Sequence, residues 1–279
     1  MKKFLAVFDG YNVSKSTLAY AEELSITANA HLVGIFLDEF LYHSYSVGEI
    51  YKTYQKPEEV IKQLDKKDKS KRDEAVLLFQ KSCEKAKISF SIHRDTNIAL
   101  EELKLESMFA DLIIINEQED FTRLKEKAPS RFMKDLLADA QCPVLVVPPN
   151  YNPINKIVLL YDGEPSSVYA VKMFSYLLNP FKGLPVEVFT VKDWKTDLHL
   201  PDNKLMREFI KRHFPDATYS VTKGNAEEQI SNYLREQNQG ELVVLGAYRR
   251  GEISRWFKTS IADFLMKEFD KPLFIAHTS

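Results

Sequence analysis

The chain has 279 residues, 44% of them hydrophobic and 28% charged, with a formal net charge of −2. The length favours two units of ordinary domain size, and the charge balance excludes a bulk attraction to nucleic acid or to an anionic membrane. Its two cysteines, Cys83 and Cys142, exclude a disulfide framework and form no CxxC pair.

In chain order the pattern alternates strand and helix. An apolar run over 3–8 stops at Asp9–Gly10, and an amphipathic stretch over 14–28 follows. That run is too short for the apolar region of a secretory signal, and no apolar segment approaches membrane-spanning length. A soluble protein of the reducing cytoplasm is expected. After a second strand at 31–36, the segment 38–75 breaks the alternation. Its tyrosines, Tyr42, Tyr45, Tyr51 and Tyr54, are spaced three, six and three apart, so part of it can form an aromatic helix face. Such a face serves either its own domain or a protein partner.

The lysine cluster "KKDKSKR" at 66–72 is interleaved with Asp65, Asp68, Asp73 and Glu74, which suits a solvated helix or loop rather than a nucleic-acid patch. Helices at 73–87, 98–108 and 130–139 then alternate with strands at 88–93, 111–116 and 144–148. Cys83 sits in the lysine-rich stretch "QKSCEKAK", where a surface thiol of lowered pKa is conceivable, whereas Cys142 at the start of an apolar strand reads as inert.

Prolines and asparagines in "PPNYNPIN" (148–155) break any element and set a boundary between units at about 1–150 and 151–279. Beyond it, strands at 156–161, 185–191, 217–222, 241–246 and 272–276 alternate with helices at 166–178, 202–213, 226–237 and 259–269. The central strands are continuous runs of Ile, Val and Leu, as in a parallel sheet covered on both faces. The fold class is α/β, a doubly wound sheet in each half.

The halves repeat one another. "FLAVFDGYNVSKSTLAYAEELS" (4–25) matches "KIVLLYDGEPSSVYAVKMFSYL" (156–177) at a spacing of 153. "ADLIIIN" (110–116) matches "GELVVLG" (240–246) at 130, and "SRFMKDLLADAQCPVLVVP" (130–148) matches "TSIADFLMKEFDKPLFIAH" (259–277) at 129. Three blocks in one order indicate duplication, and the fall in spacing places an insertion of about 23 residues in the first copy, within 38–75. The strands "CPVLVV" and "KPLFIAH" would each be a sheet edge, and pairing them would cover both edges within one chain.

These blocks resemble the universal stress protein family, here in tandem. The pieces that carry the resemblance are "FDG" (8–10), "YDG" (161–163), "KGNAEEQI" (223–230), "LVVLG" (242–246), Ser260 and "CPVLVVP" (142–148). The resemblance implies two Rossmann-like, mainly parallel five-stranded domains, each dimerised in relatives through the last strands. Some members bind ATP or AMP through Gly-x-x-Gly, nine residues, then Gly-Ser or Gly-Thr after the fourth strand. Glycines there let the backbone approach phosphates, and a helix N-terminus takes the anionic oxygens.

On the second copy, Gly246 takes the first position, Arg249 replaces the second glycine, Thr259 replaces the third, and Ser260 keeps the hydroxyl. Arg249 either fills the phosphate space or contacts a phosphate directly, Gly251, two places late, is a residue that can restore slack to the turn, and Arg250 resembles a basic residue common in such loops. The resemblance also places Asp162 by the adenosine, Val191 near adenine, and Gly224 in the turn after the third strand. The alternatives are a turn-forming role for Asp162 and a core role for Val191. The first copy has Asn116 for the strand-end glycine, then "EQEDFTRLKEKAPSRF" without glycine, so nucleotide is expected in the second domain only. Ser130 reads as a helix cap, and Asp9 as a turn residue.

No metal-ligating spacing, nucleophile elbow or P-loop occurs in the sequence. The expected function is a non-enzymatic stress-response or signalling module with a possible ATP or AMP site in the second domain. The alternatives are a nucleotide-blind adaptor working through protein contacts or as a homodimer, and an ATP-hydrolysing enzyme on the same fold. No nucleic-acid or membrane partner is expected.

Overall fold

Ten strands and nine helices follow one another among the described residues. They are β1 (Lys2–Phe8), α1 (Lys15–Ala28), β2 (Ala30–Leu37), α2 (Val47–Thr53), α3 (Pro57–Ala86), β3 (Phe90–Asp95), α4 (Ala99–Ser107), β4 (Leu112–Asn116), α5 (Arg131–Asp139) and β5 (Val144–Val147). Then come β6 (Lys156–Leu160), α6 (Pro165–Leu177), β7 (Val186–Lys192), α7 (Asn203–His213), β8 (Thr218–Lys223), α8 (Ala226–Glu236), β9 (Glu241–Gly246), α9 (Ile261–Glu268) and β10 (Leu273–Ala276). The structure, a computed structural model, describes residues 1–37, 45–95, 98–119, 121, 126–178, 181, 183–194, 197–237, 240–246 and 261–277.

The strands form one sheet in the order β3-β2-β1-β4-β5-β10-β9-β6-β7-β8. Every pairing is parallel except β5 with β10, which run antiparallel with Leu145 opposite Phe274. That single junction covers both apolar edges, which would otherwise be templates for aggregation. Each five-strand half has the same order, so the α/β reading and the edge pairing both hold.

Alternate residues of each strand serve opposite faces. Phe4, Ala6 and Phe8 of β1 join one buried cluster with Tyr20 of α1, Phe79 of α3, Phe174 of α6 and Ile210 of α7. Leu5 and Val7 join the other, with Leu103 of α4, Leu136 of α5, Ile230 of α8 and Leu265 of α9. Both faces are therefore covered, as continuous apolar strands require.

Helix starts follow local chemistry. Ser14 caps α1 by accepting from the Thr17 amide, and Asn225 caps α8 by accepting from the Glu228 amide. Pro57 opens α3, with Glu58 and Glu59 in the first turn, where the dipole favours them.

The segment 38–75 departs most from expectation. Residues 38–44, with Tyr42, lie outside the described ones. The rest is α2 and the first two-thirds of α3, a helix of 30 residues where only its last part, 73–87, was expected. Tyr45 precedes α2 and donates to Asp65, Tyr51 lies in α2, and Tyr54 caps its end, so the tyrosines do not share one helix face. Tyr51 and Tyr54 are exposed.

Cys83 also differs. It is wholly buried on the core side of α3, and burial first, then Glu22 and Glu84, pushes its thiol up to about 12. Lys81, Lys85 and Lys87 are exposed, so the thiol is not an activated one.

Candidate functional site

The order β9-β6-β7 reverses direction of winding between β9 and β6, and a doubly wound sheet places its ligand crevice at such a switch point, beyond the carboxyl ends of the strands. Gly246 ends β9 and Asp162 follows β6, so these two flank the crevice. Val191 and Gly224 lie further along the same edge, at the ends of β7 and β8, where Val191 pairs with Thr222. Arg249, Arg250, Thr259 and Ser260, with Gly251, lie outside the described residues.

Each described residue has a definite structural task. The Asp162 carboxylate accepts from the Glu164 amide at 2.9 Å and so forms the turn that leads into α6. Asp9 does the same in the first half, accepting from the amides of Tyr11 and Asn12 at 2.9 and 2.8 Å. Val191 is buried in the core cluster with Phe189 and Ile230, so its side chain serves packing. Gly224 adopts φ +138°, a conformation open chiefly to glycine, and its amide donates to the Lys192 carbonyl at 3.0 Å.

Gly246 is fixed by a close backbone approach. A Cβ there would stand 2.3 Å from the Ser166 carbonyl carbon and 2.5 Å from the Ser167 nitrogen. The cause is the short connection into α6. One residue, Glu164, separates Gly163 from α6, whereas four, Tyr11 to Ser14, separate Gly10 from α1, so at the repeat spacing of 153 α6 begins three residues earlier than α1 does. The short connection holds the first turn of α6 against the end of β9. The positive end of the α6 dipole thus lies beside the glycine.

The first half has the later helix start, and a side chain fills the difference. Asn116, 5% exposed, donates from Nδ2 to Ser14 Oγ at 3.3 Å and to the Pro148 carbonyl at 3.2 Å. Its Oδ1 accepts from the Gln118 amide at 3.0 Å, and Ser16 Oγ donates to Pro148 at 2.6 Å. Above this plug, α3 closes the crevice. Arg72 donates to the Tyr11 hydroxyl at 2.6 Å and lies over its ring at 4.5 Å, while that hydroxyl donates to the buried Asp68 at 3.3 Å. Burial pushes the Tyr11 phenol up, against the nearby Arg72. Asp68 and Arg72 therefore belong to a buried contact, not to the solvated run read from "KKDKSKR". Ser130 caps α5 as expected, accepting from the Met133 amide at 3.1 Å.

In the second half a loop, not a helix, approaches the turn. Pro201 fills the space where a Gly163 Cβ would go, at 2.6 Å, and its carbonyl accepts from the Tyr161 hydroxyl at 3.2 Å. Lys192, at the end of β7, anchors that loop through Asp197 at 3.0 Å and the His199 carbonyl at 2.8 Å. Tyr11, Asp68, Arg72 and Pro201 carried no motif. The one available sign was an acid, Asp68, inside a lysine run.

For a nucleotide, the described groups fit in part. Backbone of β9 meets the α6 N-terminus with no side chain between them, as a phosphate-facing crevice requires, and Asp162 stands across the switch point. Among the described residues no group of three His, Cys, Asp or Glu side chains could hold a metal ion.

No family model matches the chain, and no curated protein matches it. Solved structures do. A universal stress protein from Archaeoglobus fulgidus superimposes with a TM-score of 0.68 at 12% identity, covering 99% of this chain and 98% of that one. A protein of unknown function from Pseudomonas aeruginosa gives 0.59 at 13%, covering 99% and 92%. A third structure, described as a universal stress protein of Pseudomonas aeruginosa, gives 0.57 at 13%, covering 99% and 93%. The chain thus has, over nearly its full length, the Rossmann-like fold seen in two-unit universal stress proteins. No helix among the described residues is long and apolar enough to cross a membrane.

Proposed function

We propose that this chain is a tandem universal stress protein that acts without catalysing a reaction, as a stress-response or signalling module, and that it takes ATP or AMP in its second half alone. Its units are about 1–150 and 151–279. The observation that carries the reading is the contrast at equivalent strand ends: Asn116 plugs one crevice with hydrogen bonds, while Gly246 leaves the other to backbone. Asp162 would face the adenosine, Gly246 and the α6 amides the phosphates, and Ser260 with Arg250 would supply a hydroxyl and a cation. When bound, the nucleotide would supply only a phosphate tail for this end of α6 to hold.

Calorimetry with ATP and with AMP tests this. Saturable heat that Ser260→Ala weakens is expected; no heat at millimolar nucleotide would retire the idea. A second reading, a nucleotide-blind adaptor, draws on Pro201 lying over Gly163 and on Arg249 standing where a glycine belongs. Under it, Arg249→Gly would leave the protein still silent to nucleotide.

A further inference from the structure

Beyond the Asn116 plug, a cleft of about 490 Å³ opens at the seam of the two halves. Glu117, Lys127 and Ala128 line it from one side, and Met266, Lys267, Glu268, Phe269 and Asp270 from the other. The β5–β10 junction brings these stretches together: the Glu117 amide donates to the Val147 carbonyl beyond β4, and Asp270 lies three residues before the start of β10.

Glu117 is the unusual group. It is 8% exposed and lines the cleft, and the group acting on its carboxylate is a second acid, Asp270, with no described cation or donor on it. A largely desolvated carboxylate facing a cleft beside another acid is held at a cost that a bound cation would relieve. Asp270, Glu268, Lys127 and Lys267 are all exposed at the mouth, and Glu268 is engaged by Arg235 at 3.4 Å. The floor of the cleft is therefore an acid, and its rim carries two lysines.

The duplication does not repeat the acids. At the repeat spacings of 130 and 129, Glu117 corresponds to Ala247 and Asp270 to Gln141, so the pseudo-equivalent place has neither carboxylate. The pair occurs at one of the two equivalent places only.

We propose that the seam cleft binds a small zwitterion of the amino-acid class, its ammonium on Glu117 beside Asp270 and its anionic end on Lys127 and Lys267. The volume suits a small molecule and far exceeds a bare ion. Two carboxylates satisfy an ammonium by charge-assisted hydrogen bonds. The rim lysines disfavour a polyamine, whose further charges they would repel. Burial, with Asp270 adding to it, holds the Glu117 carboxyl up at about 7, so the free floor resists ionisation and a bound cation relieves it. The ligand needs Glu117 ionised, so affinity rises with pH through about 7.

The test is calorimetry on the full chain with glycine, β-alanine and γ-aminobutyrate, which ladder the separation of the two charges, against butylamine and butyrate. At least one zwitterion should give saturable heat, butylamine weaker heat and butyrate none. Glu117→Gln should weaken the zwitterion by about tenfold or more, as loss of a charge-assisted contact predicts, and should flatten its pH dependence. Asp270→Asn, at an exposed position that leaves the fold undisturbed, should weaken it severalfold, and Lys267→Ala should affect the zwitterion but not butylamine. Silence with every zwitterion at tens of millimolar, or heat that Glu117→Gln and Asp270→Asn leave unchanged, would overturn the proposal.

Discussion

Gly246 and Ser166 meet backbone to backbone: a Cβ on the glycine would stand 2.3 Å from the serine carbonyl carbon. The glycine is thus demanded by packing between β9 and α6, whatever the crevice binds. Neither partner can yield cheaply, because both contacts are main chain. Gly246→Ala should cost about 1–3 kcal/mol, the usual range for overpacking. Urea unfolding should show a lower midpoint at unchanged slope. An unchanged midpoint would mean that α6 can retreat, and the close approach would then carry no weight.

The contact of Asp68 and Arg72 with Tyr11 makes α3 part of the first unit rather than an appendage. Asp68→Ala leaves the buried Tyr11 phenol short of its acceptor and should cost about 1–3 kcal/mol. Lys66→Ala, on the solvated side of the same run, should stay within about 0.5 kcal/mol. Equal effects from the two would contradict the account of α3. A deletion of residues 40–72, which would remove this contact, should therefore destabilise the fold.

Burial sets the pH behaviour at the alkaline end. The folded state holds Cys83 at about 12 against an ordinary 9.0, and Tyr20 at about 12 against 10.0. Both values are raised by burial first, so the fold favours the neutral forms. Their contribution to stability is whole below pH about 9 and is lost as pH rises toward about 12, where the unfolded chain sheds the protons first. Unfolding free energy measured from neutral pH upward should fall above that point. Thiol labelling at pH about 8 should leave Cys83 unmodified until the protein unfolds, since only the thiolate reacts; rapid labelling of Cys83 in the native state would show that this face of α3 is not packed into the core.

Periodicity and repetition made the fold legible. Every strand was bounded within about two residues, because continuous Ile, Val and Leu runs and repeated Asp-Gly turns leave few alternatives. The pairing of "CPVLVV" with "KPLFIAH" also followed from the need to cover two edges. What escaped the sequence depends on contacts between distant residues. The length of α3 was hidden by a lysine run whose one buried acid, Asp68, answers to Tyr11. The Asn116 plug depends on α1 starting later than α6, a difference of three residues that alignment shows but whose meaning requires packing. The crevice in the second half was legible at Asp162 and Gly246, whereas Val191 turned out to face the core. Arg249, Arg250, Thr259 and Ser260 lie outside the described residues, so their roles rest on the motif alone.

The central claim is that one crevice of two accepts nucleotide, and native mass spectrometry of the intact chain with excess ATP or AMP counts it directly. A single nucleotide mass added to the wild type, at reduced occupancy in Ser260→Ala and retained in Asn116→Ala, is the predicted result. Two added masses would show that the Asn116 plug does not close the first crevice, and none at any concentration would show that the second is closed as well.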